Sequence, residues 1–496
     1  MIHYADWLQH WSARTPQAEA LFEPDTGRRL TYAQLHERVI RLARALTAAG
    51  VKKGERVAVL AHNCGEQFEL LFACMKLGAI FTPLNWRLSR FELAEIMKDA
   101  DPRVLFHDST CCELADALEA PRKVSFGAAY EDLVGAQSAA PLALEPVGLD
   151  EVAILLYTSG TTGRPKGAML PVRQLIYNSH NTNLAVGLSN RDSTLVFLPL
   201  FHTGGLNCLA TPIFHHGGRV VLMKRFDPER VCQLTEQERI TAHMGVPTTF
   251  EGVAECAAFK TTDFSSVRFI LVGGAPCPLG LIETYKARGL QFRQGFGMTE
   301  VGPNDFSLPE THVYAKMGSI GLPNFYLQAR IVDENGNEVK PGEVGELQLS
   351  GPVVFNGYFR NEVATRAAFR GDWFCTGDLA RRDEEGFHYI VDRKKDMFIS
   401  GGENVYPAEV EQVILQRSEV AEVAVIGLHD ARWGEVGRAV VVLRSGATLS
   451  EGDILAHCKE RLAKYKVPKS VVFVPSLPRN ASGKVLKPVL KEQWGR

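Results

Sequence analysis

The chain contains the stretch Tyr157-Thr158-Ser159-Gly160-Thr161-Thr162-Gly163-Arg164-Pro165-Lys166-Gly167, directly after the apolar run Val152-Ala153-Ile154-Leu155-Leu156. The apolar run predicts a buried strand. Glycines let a backbone approach an anion closely, and successive N–H groups of such a loop form an anion-binding nest. The hydroxyls of the stretch can donate to phosphate oxygens, and Lys166 can neutralise their charge. We therefore predict a phosphate-binding loop; the alternative is a polar turn after a strand.

This stretch is not a Walker A loop. That motif needs a glycine, four residues and then Gly-Lys-Ser/Thr at the start of a helix. Pro165 stands where the motif has its second glycine, and Gly167 stands where it has the magnesium-binding hydroxyl. The sequence therefore excludes a Walker A type of nucleotide site at this position.

Length and composition set the class of protein. The 496 residues are enough for more than one domain, and 45% hydrophobic with 23% charged residues is a globular composition. A net charge of -2 gives no general electrostatic reason to expect a nucleic-acid partner. The N-terminus lacks the pattern of a secretory signal, and the ten cysteines include no Cys-x-x-Cys pair. These features predict a protein of the reducing cytoplasm.

Strands and helices alternate through the first part of the chain. Thr31-Tyr32-Ala33-Gln34 predicts a capping box before a helix that ends near Gly50. Residues 56–60 and 79–84 read as strands, and between them lies a helix that Gly78 closes. Strands that alternate with helices predict an α/β fold with parallel-type sheets covered on both faces. The basic residues Arg38, Arg41, Arg44, Lys52 and Lys53 predict a solvated face, and weak contact with a membrane surface is the alternative.

Three later motifs follow the loop in order: Gln294-Gly295-Phe296-Gly297-Met298-Thr299-Glu300, Trp373-Phe374-Cys375-Thr376-Gly377-Asp378 and Asn480-Ala481-Ser482-Gly483-Lys484. With the loop, they resemble the adenylate-forming superfamily of acyl-CoA synthetases, luciferases and peptide-synthetase adenylation domains, most of all bacterial fatty-acid or aryl acyl-CoA ligases. The resemblance implies a large N-terminal ATP- and carboxylate-binding domain over 1–394, built of α/β subdomains. It also implies a small mobile α+β domain over 395–496 and a hinge at Lys395.

The resemblance implies which residues bind ATP and AMP. They are Thr158, Ser159, Gly160, Thr161, Thr162, Gly163, Lys166, Gly273, Gly274, Ala275, Gly295, Phe296, Gly297, Met298, Thr299, Asp378, Arg393 and Lys484. Phe296 replaces a tyrosine of the family and would stack on adenine, and Asp378 would accept from the ribose hydroxyls. Glu300 and Thr158 would hold Mg²⁺, which favours hard oxygen ligands beside nucleotide phosphates. Lys484 would reach the active site during adenylation, with Thr158, Glu300 and His202 as further catalytic residues.

The acid and CoA sites are implied in the same way. The predicted acyl pocket consists of Phe197, Phe201, His202, Gly205, Val246, Val301 and Phe306, and the predicted CoA and thiol tunnel consists of Ser400, Gly401, Gly402, Trp433 and Arg87. On its own, His202 reads as a core or helix-capping histidine, and Arg87 as an ordinary surface arginine. The mostly apolar pocket favours a medium- or long-chain fatty acid, with an aromatic acid as runner-up.

The sequence therefore predicts an AMP-forming acyl-CoA synthetase with ATP, Mg²⁺ and CoA. An adenylating enzyme that loads a separate carrier protein would share every motif except those for CoA. A luciferase-like oxygenase and a non-catalytic nucleotide-binding module are further alternatives. The predicted partners are ATP, CoA and a small carboxylic acid, with no nucleic acid, and a homodimer is left open.

Overall fold

A computed structural model describes residues 4–142, 144–158, 165–275, 277–401, 403–479 and 484–495. Contacts divide the chain into two compact units. The first is Met1–Ala329 with Leu349–Phe374, and the second is Arg330–Gln348 with Cys375–Arg496. The domain boundary between 394 and 395 stays a prediction.

The strands follow one another along the chain. They are β1 (Glu19–Glu23), β2 (Arg28–Thr31), β3 (Arg56–Leu60), β4 (Ile80–Pro83), β5 (Val104–His107), β6 (Lys123–Ser125), β7 (Val152–Thr158), β8 (Lys166–Pro171), β9 (Ser193–Val196), β10 (Arg219–Leu222), β11 (Ala242–Gly245), β12 (Phe269–Val272), β13 (Phe292–Met298), β14 (Gly302–Ser307), β15 (Leu322–Pro323), β16 (Gln328–Val332), β17 (Gly345–Ser350), β18 (Phe369–Arg370), β19 (Trp373–Arg382), β20 (His388–Arg393), β21 (Phe398–Ser400), β22 (Glu403–Val405), β23 (Val420–Asp430), β24 (Gly434–Leu443) and β25 (Ser470–Phe473).

The helices connect these strands. They are α1 (Trp7–Arg14), α2 (Tyr32–Ala48), α3 (Gly65–Leu77), α4 (Arg90–Ala100), α5 (Cys112–Asp116), α6 (Ala128–Gly135), α7 (Val172–Val186), α8 (Thr203–Gly205), α9 (Thr211–His215), α10 (Pro228–Gln237), α11 (Pro247–Glu255), α12 (Leu279–Lys286), α13 (Glu362–Ala367), α14 (Pro407–Ile414), α15 (Glu451–Arg461) and α16 (Lys487–Trp494). Leu206–Ala210 forms a π-helix between α8 and α9. None of the helices in the described ranges combines the length and the apolar character needed to cross a membrane.

Local sequence signals account for several of these bounds. Thr31 caps α2 and forms the predicted capping box with Gln34. Gly78 ends α3 in the left-handed conformation, with φ of 66°, which glycine adopts without steric cost. Pro407 is the first residue of α14, where its missing N–H costs nothing. The predicted strand at residues 56–60 is β3 with the same bounds.

Two largely parallel sheets form the first unit. One has the strand order β15-β14-β13-β12-β11-β9-β10-β1-β2, and the other has the order β6-β5-β3-β4-β7-β8. In the first of these sheets the neighbouring strands β1, β10, β9, β11, β12 and β13 pair in parallel. Strand β14 returns antiparallel to β13. Because parallel strands end at a common edge, residues that follow β9, β11, β12 and β13 meet there. The glycine turn after β12, the end of β13 and several of the predicted acyl residues belong to these segments, and the α/β fold class is confirmed.

A packed aromatic cluster holds the larger sheet to its helices. Tyr285 of α12 lies 4.6 Å from Phe292 of β13 between ring centroids, and Phe250 of α11 lies 5.1 Å from Phe292. The Tyr285 hydroxyl donates to the Phe250 carbonyl at 2.9 Å, so its polar atom is satisfied in the core. This packing holds the start of β13 against α11 and α12.

The remaining strands form two smaller sheets, with the orders β16-β17-β19-β18 and β22-β21-β24-β23. Strand β20 pairs with β19, and β25 pairs with β24. The second unit has its own core, in which Ile414 of α14 and Ile454 of α15 pack with Phe398, Val425 and Val441. These elements give the α+β unit that the sequence predicts after the large domain.

The basic residues of α2 are mostly engaged with neighbouring groups. Arg38 pairs with Glu69 and Glu131, and Arg41 pairs with Glu37. Arg44 donates to the main-chain carbonyls of residues 140 and 141. Contact with a membrane surface stays a prediction.

Candidate active site

The two ends of the predicted phosphate loop are held together as a hairpin. Thr158, the last residue of β7, is the antiparallel partner of Lys166, the first residue of β8. The Thr158 hydroxyl donates to the Lys166 carbonyl at 3.5 Å. Ser159, Gly160, Thr161, Thr162 and Gly163 lie outside the described residues, so their positions stay predictions. The loop joins two strands and opens no helix, in agreement with the exclusion of a Walker A site.

Tyr358 connects this hairpin to the predicted metal ligand, although no sequence motif marks it. The segment around Tyr358 lies along β8, because the Phe359 N–H donates to the Gly167 carbonyl at 2.7 Å. The Lys166 ammonium lies 5.2 Å from the centre of the Tyr358 ring. The Tyr358 hydroxyl donates to Oε1 of the buried Glu300 at 2.9 Å. Thr158, Lys166, Tyr358 and Glu300 therefore form a continuous chain of contacts.

Burial and a neighbouring charge shape the chemistry of Tyr358. Loss of solvent raises the pKa of Tyr358, and the charge of Glu300 raises it further. The hydroxyl therefore stays protonated at neutral pH and acts as a hydrogen-bond donor to the carboxylate. A donor in this place fixes the orientation of the Glu300 carboxylate.

The motif that precedes Glu300 forms the end of β13 and its turn into β14. Phe296 is the antiparallel partner of Phe306, and their ring centroids lie 5.9 Å apart. A side chain at Gly297 would overlap the main chain of Pro303, so only glycine fits this close approach of the two strands. Phe296 is only partly buried, which leaves ring surface for stacking.

The predicted adenine turn lies beside this hairpin. Gly273 and Gly274 follow β12, which pairs in parallel with β13. A Cβ atom built on Gly273 would lie 3.4 Å from the Gly295 carbonyl oxygen, so the two segments are adjacent. Gly274 has a φ of 79°, and Ala275 after it is exposed. The fold therefore brings the glycine turn and the partly exposed Phe296 to the same sheet edge.

Thr299 and Met298 complete the nucleotide segment. Thr299 is buried, and its carbonyl accepts a hydrogen bond from Gln174 Nε2 at 3.1 Å. Met298 faces Gly302 across the hairpin. The donor set around Glu300 suits Mg²⁺, because a buried carboxylate and nearby hydroxyls are hard oxygen ligands of the type this ion prefers.

Five of the seven predicted acyl residues fall into two groups. Val246, Val301, Gly205 and Phe306 line the region where β11, β14 and the π-helix meet, and Val246 Cγ1 lies 3.4 Å from a Cβ built on Gly274. Phe197 is instead buried in the aromatic core, 5.4 Å from Phe226 between ring centroids.

His202 caps a helix. Its Nδ1 accepts the Gly204 N–H at 3.1 Å at the start of α8. This is the helix-capping geometry that the sequence allowed as the purely structural interpretation. A role for His202 beside the acyl group stays a prediction.

Arg87 lies against the acyl segment. Its guanidinium is 5.0 Å from the Trp86 ring and 5.8 Å from the Phe201 ring, measured to the centroids. Burial lowers the pKa of Arg87, although an arginine stays charged at physiological pH. The Arg87 guanidinium therefore packs against two aromatic rings, and this packing fixes the orientation of its N–H groups.

In the second unit the two predicted ribose ligands contact each other. Asp378 of β19 and Arg393 of β20 are antiparallel partners, and Arg393 Nε lies 2.7 Å from Asp378 Oδ1. Asp378 is almost fully buried, so the arginine offsets the cost of its charge. The sequence motifs indicated each residue separately and gave no sign of this pair.

The predicted CoA residues of the second unit also come together. Ser400 pairs with Gly434, and the Gly401 N–H donates to the Trp433 carbonyl at 2.8 Å. Gly401 has a φ of 63°, and a Cβ atom there would lie 2.9 Å from the Trp433 ring. Gly402 lies outside the described residues.

Lys395 and Lys484 are exposed. Lys395 lies in a tight turn after β20, in which the Asp396 N–H donates to the Arg393 carbonyl at 2.9 Å. Lys484 precedes Val485, which forms an antiparallel bridge with Arg479. The bridge closes the segment that presents the predicted adenylation lysine.

Comparison with known proteins places this site in a family. A model described as AMP-binding enzyme matches residues 8–359, and one described as AMP-binding enzyme C-terminal domain matches residues 409–484. The chain belongs to the AMP-binding enzyme family. This AMP-binding enzyme is 44% identical over 489 residues to a feruloyl-CoA synthase of Amycolatopsis, covering 99% of this chain and 98% of that protein.

Two further relatives extend the comparison. A long-chain-fatty-acid–CoA ligase of Mycobacterium tuberculosis is 37% identical over 497 residues, covering 98% of this chain and 97% of that protein. The structure of o-succinylbenzoate CoA synthetase from Bacillus subtilis with ATP and magnesium ion has a TM-score of 0.88 at 35% identity, covering 98% of this chain and 99% of that chain. The AMP-binding enzyme is accordingly an AMP-forming acid–CoA ligase that uses ATP, Mg²⁺ and CoA.

Proposed function

We propose that this ligase activates an aryl-substituted carboxylic acid. The observation that carries this choice is the similarity to a feruloyl-CoA synthase over almost the entire length of both proteins, at 44% identity. The fatty-acid ligase is less similar, at 37%. An aromatic acid therefore ranks ahead of the fatty acid that the apolar lining favoured.

The first step joins the acid to AMP. A carboxylate oxygen of the acid attacks the α-phosphorus of ATP, and the bond to the departing pyrophosphate breaks. The attack brings the negatively charged carboxylate toward the negatively charged phosphates of ATP. Cations and N–H donors that point at the phosphates therefore lower the barrier. We assign this work to Lys166, the loop between Thr158 and Lys166, and Lys484. Bound Mg²⁺ would supply charge neutralisation at the phosphates, with Glu300 and Thr158 as its protein ligands.

Other residues would position the nucleotide. Phe296 would stack on the adenine against Gly273 and Gly274, and Asp378 with Arg393 would hold the ribose. Fixing the reactants in this way removes much of the entropic barrier. In the second step the CoA thiol loses its proton and attacks the acyl carbon, and AMP leaves. Ser400, Gly401 and Trp433 would line the path of the thiol arm.

One lysine cannot occupy the site while the thiol arm enters. We infer that the C-terminal domain turns about Lys395 between the two steps and withdraws Lys484. Lys484→Ala should abolish acyl-adenylate formation and still convert supplied acyl-adenylate to thioester. Lys395→Pro should do the reverse. Equal loss of both half-reactions in Lys484→Ala would refute its assignment.

A panel of acids tests the substrate class. Purified enzyme with ATP, Mg²⁺ and CoA is assayed for pyrophosphate release with cinnamic, hydroxycinnamic, arylacetic and benzoic acids, and with fatty acids of increasing chain length. The proposal predicts the highest kcat/KM for an aryl acid. A fatty acid that exceeds every aryl acid would support the second candidate, a fatty acyl-CoA ligase, which the apolar Val246, Val301 and Phe306 would also suit.

A further inference from the structure

Two cysteine side chains that the ligase reaction does not use contact each other beside the larger sheet. Cys232 lies on α10 and is 0% exposed, and Cys256, directly after α11, is partly exposed. Their sulfur atoms lie 3.7 Å apart, although 24 residues separate them in the chain. Both are free thiols in this structure. A disulfide holds its sulfur atoms at about 2.05 Å, so a change of roughly 1.7 Å in their separation would form one here.

Contacts around the two cysteines hold their segments together. The Glu229 side chain, one helical turn before Cys232 on α10, accepts the Ala257 N–H at 3.0 Å. This hydrogen bond fixes the residue next to Cys256 against α10. Cys232 also belongs to the apolar core that contains Phe259, and Cys256 packs against that core. The two thiols are therefore kept in contact by the fold around them.

The unequal exposure of the two thiols gives them different chemical roles. Burial raises the pKa of Cys232, so this thiol is a poor first nucleophile. Cys256 is partly exposed and is the thiol that a small oxidant can reach. An accessible cysteine beside a second, resolving cysteine is the arrangement typical of reversible thiol oxidation.

We propose that Cys232 and Cys256 form a reversible disulfide when the enzyme meets a hydroperoxide. With hydrogen peroxide, the Cys256 sulfur attacks one oxygen and the O–O bond breaks, which gives a sulfenic acid and water. The Cys232 sulfur then attacks the Cys256 sulfur, the S–O bond breaks, the S–S bond forms and a second water leaves. The two sulfurs give up two electrons to the peroxide, and the two thiol protons leave in the two water molecules. A thiol reductant reverses the bond by exchange.

The disulfide should stabilise the first unit without stopping the ligase reaction. Helix α11 starts at Pro247, directly after Val246 at the sheet edge where β11 and β12 end. Because β11 and β12 are parallel, the helix between them returns toward the opposite edge, and its nine residues span about 14 Å before Cys256. The new bond therefore forms away from the glycine turn after β12. It closes a loop that contains β11 and α11, which restricts the unfolded chain.

The test maps the bond and measures its effect. Purified enzyme is treated with hydrogen peroxide, digested without reduction and analysed by mass spectrometry, which should find a peptide that links Cys232 to Cys256. Dithiothreitol should remove this link. The oxidised wild type should melt about 3 °C higher than the reduced enzyme, while its acid-dependent pyrophosphate exchange stays within about twofold. Cys232→Ala should abolish the shift in melting temperature and leave Cys256 to be oxidised to sulfinic acid.

Cys277→Ser is the matched control. Cys277 packs against the same core and is also partly exposed, but its replacement keeps both members of the pair, so this variant should still form the link. Wild-type enzyme in which Cys256 is oxidised without any link to Cys232 would overturn the inference. A shift in melting temperature that persists in Cys232→Ala would do so as well.

The activity measurement tests the position of the bond separately. A fall in pyrophosphate exchange that follows the extent of the Cys232–Cys256 link, and is absent in Cys256→Ser, would contradict its placement away from the reaction. Should Cys232→Ala fail to fold, the peptide map of the wild type and the melting temperature of Cys256→Ser decide. The peptide map needs no substrate, so it stands whether or not an aryl acid is activated.

Discussion

The Tyr358 hydroxyl lies 2.9 Å from Oε1 of Glu300, and the same tyrosine ring lies 5.2 Å from the Lys166 ammonium. Tyr358 thus links the β7–β8 hairpin, through Lys166, to Glu300, which follows β13. Tyr358 is 58 residues away from Glu300 in the chain, and no motif marked it.

Tyr358→Phe should weaken the use of magnesium. The substitution keeps the ring beside Lys166 and removes the hydrogen bond that orients Glu300. A hydrogen bond to a charged group contributes about 1.5–3 kcal/mol, so adenylation at limiting Mg²⁺ should fall roughly tenfold or more. Acid-dependent exchange of labelled pyrophosphate into ATP, titrated with Mg²⁺, measures the effect.

Tyr130→Phe is the matched control for that experiment. It removes a comparable bond, because the Tyr130 hydroxyl donates to Glu69 Oε2 at 2.7 Å in the core. It should lower the melting temperature without changing the magnesium dependence. Identical magnesium curves for Tyr358→Phe and the wild type would count against Glu300 as a metal ligand.

Lys487 should be required mainly for adenylation. Lys487 follows Lys484 by three residues. Its Nζ lies 2.8 Å from Glu411 Oε1. Burial would lower the pKa of Lys487, but the charges of Glu411 and Asp392 raise it overall. Lys487→Met leaves these carboxylates uncompensated and releases the start of α16, so acyl-adenylate formation should fall more than the conversion of supplied acyl-adenylate. Lys487→Arg should restore most of the first rate. An equal fall in both half-reactions would reduce Lys487 to a purely structural role.

Gly401→Ala should impair the thioester step and spare adenylation. The new methyl group would meet the Trp433 ring at 2.9 Å, and the backbone φ of 63° is unfavourable for alanine. A left-handed conformation costs a non-glycine residue about 1–2 kcal/mol. Single-turnover assays of each half-reaction separate the two steps. Unchanged thioester formation would remove Gly401 and Trp433 from the predicted thiol path.

Glu23 should make stability depend on pH near neutrality. Burial, and then the charge of Glu66, raise the pKa of Glu23 from 4.5 to about 7, while Arg28 opposes the shift. The folded state therefore holds this proton more tightly than the unfolded state. Its contribution, about 3 kcal/mol, is complete below about pH 4.5 and is lost as pH rises through about 7. Glu23→Gln should flatten the change in unfolding free energy between about pH 4.5 and pH 7. A slope equal to that of the wild type would contradict this origin.

The sequence predicted the parts of the molecule that depend on neighbouring residues. Hydrophobic runs with punctuating glycines indicated the strands that became β3 and β4, and the capping box at Thr31 was confirmed. These features are local, because hydrogen bonding and backbone conformation are settled within a few residues. The α/β class followed from the alternation of strands and helices.

The sequence did not predict relationships between distant segments. Three contacts of this kind are the β7–β8 hairpin, the Tyr358–Glu300 hydrogen bond and the Asp378–Arg393 ion pair. The register of the sheets decides which residues meet in them. Phe197 matched the acyl segment of the family and lies in the aromatic core. Only the packing of the whole sheet distinguishes these cases.

The most direct test of the proposed chemistry is the exchange of labelled pyrophosphate into ATP. Purified enzyme is incubated with Mg²⁺, ATP and each acid of the panel, without CoA. Activation of the acid as its adenylate predicts exchange that requires an acid, is greatest for an aryl acid and disappears in Lys484→Ala. An enzyme that folds and binds ATP but exchanges no pyrophosphate with any acid would contradict it.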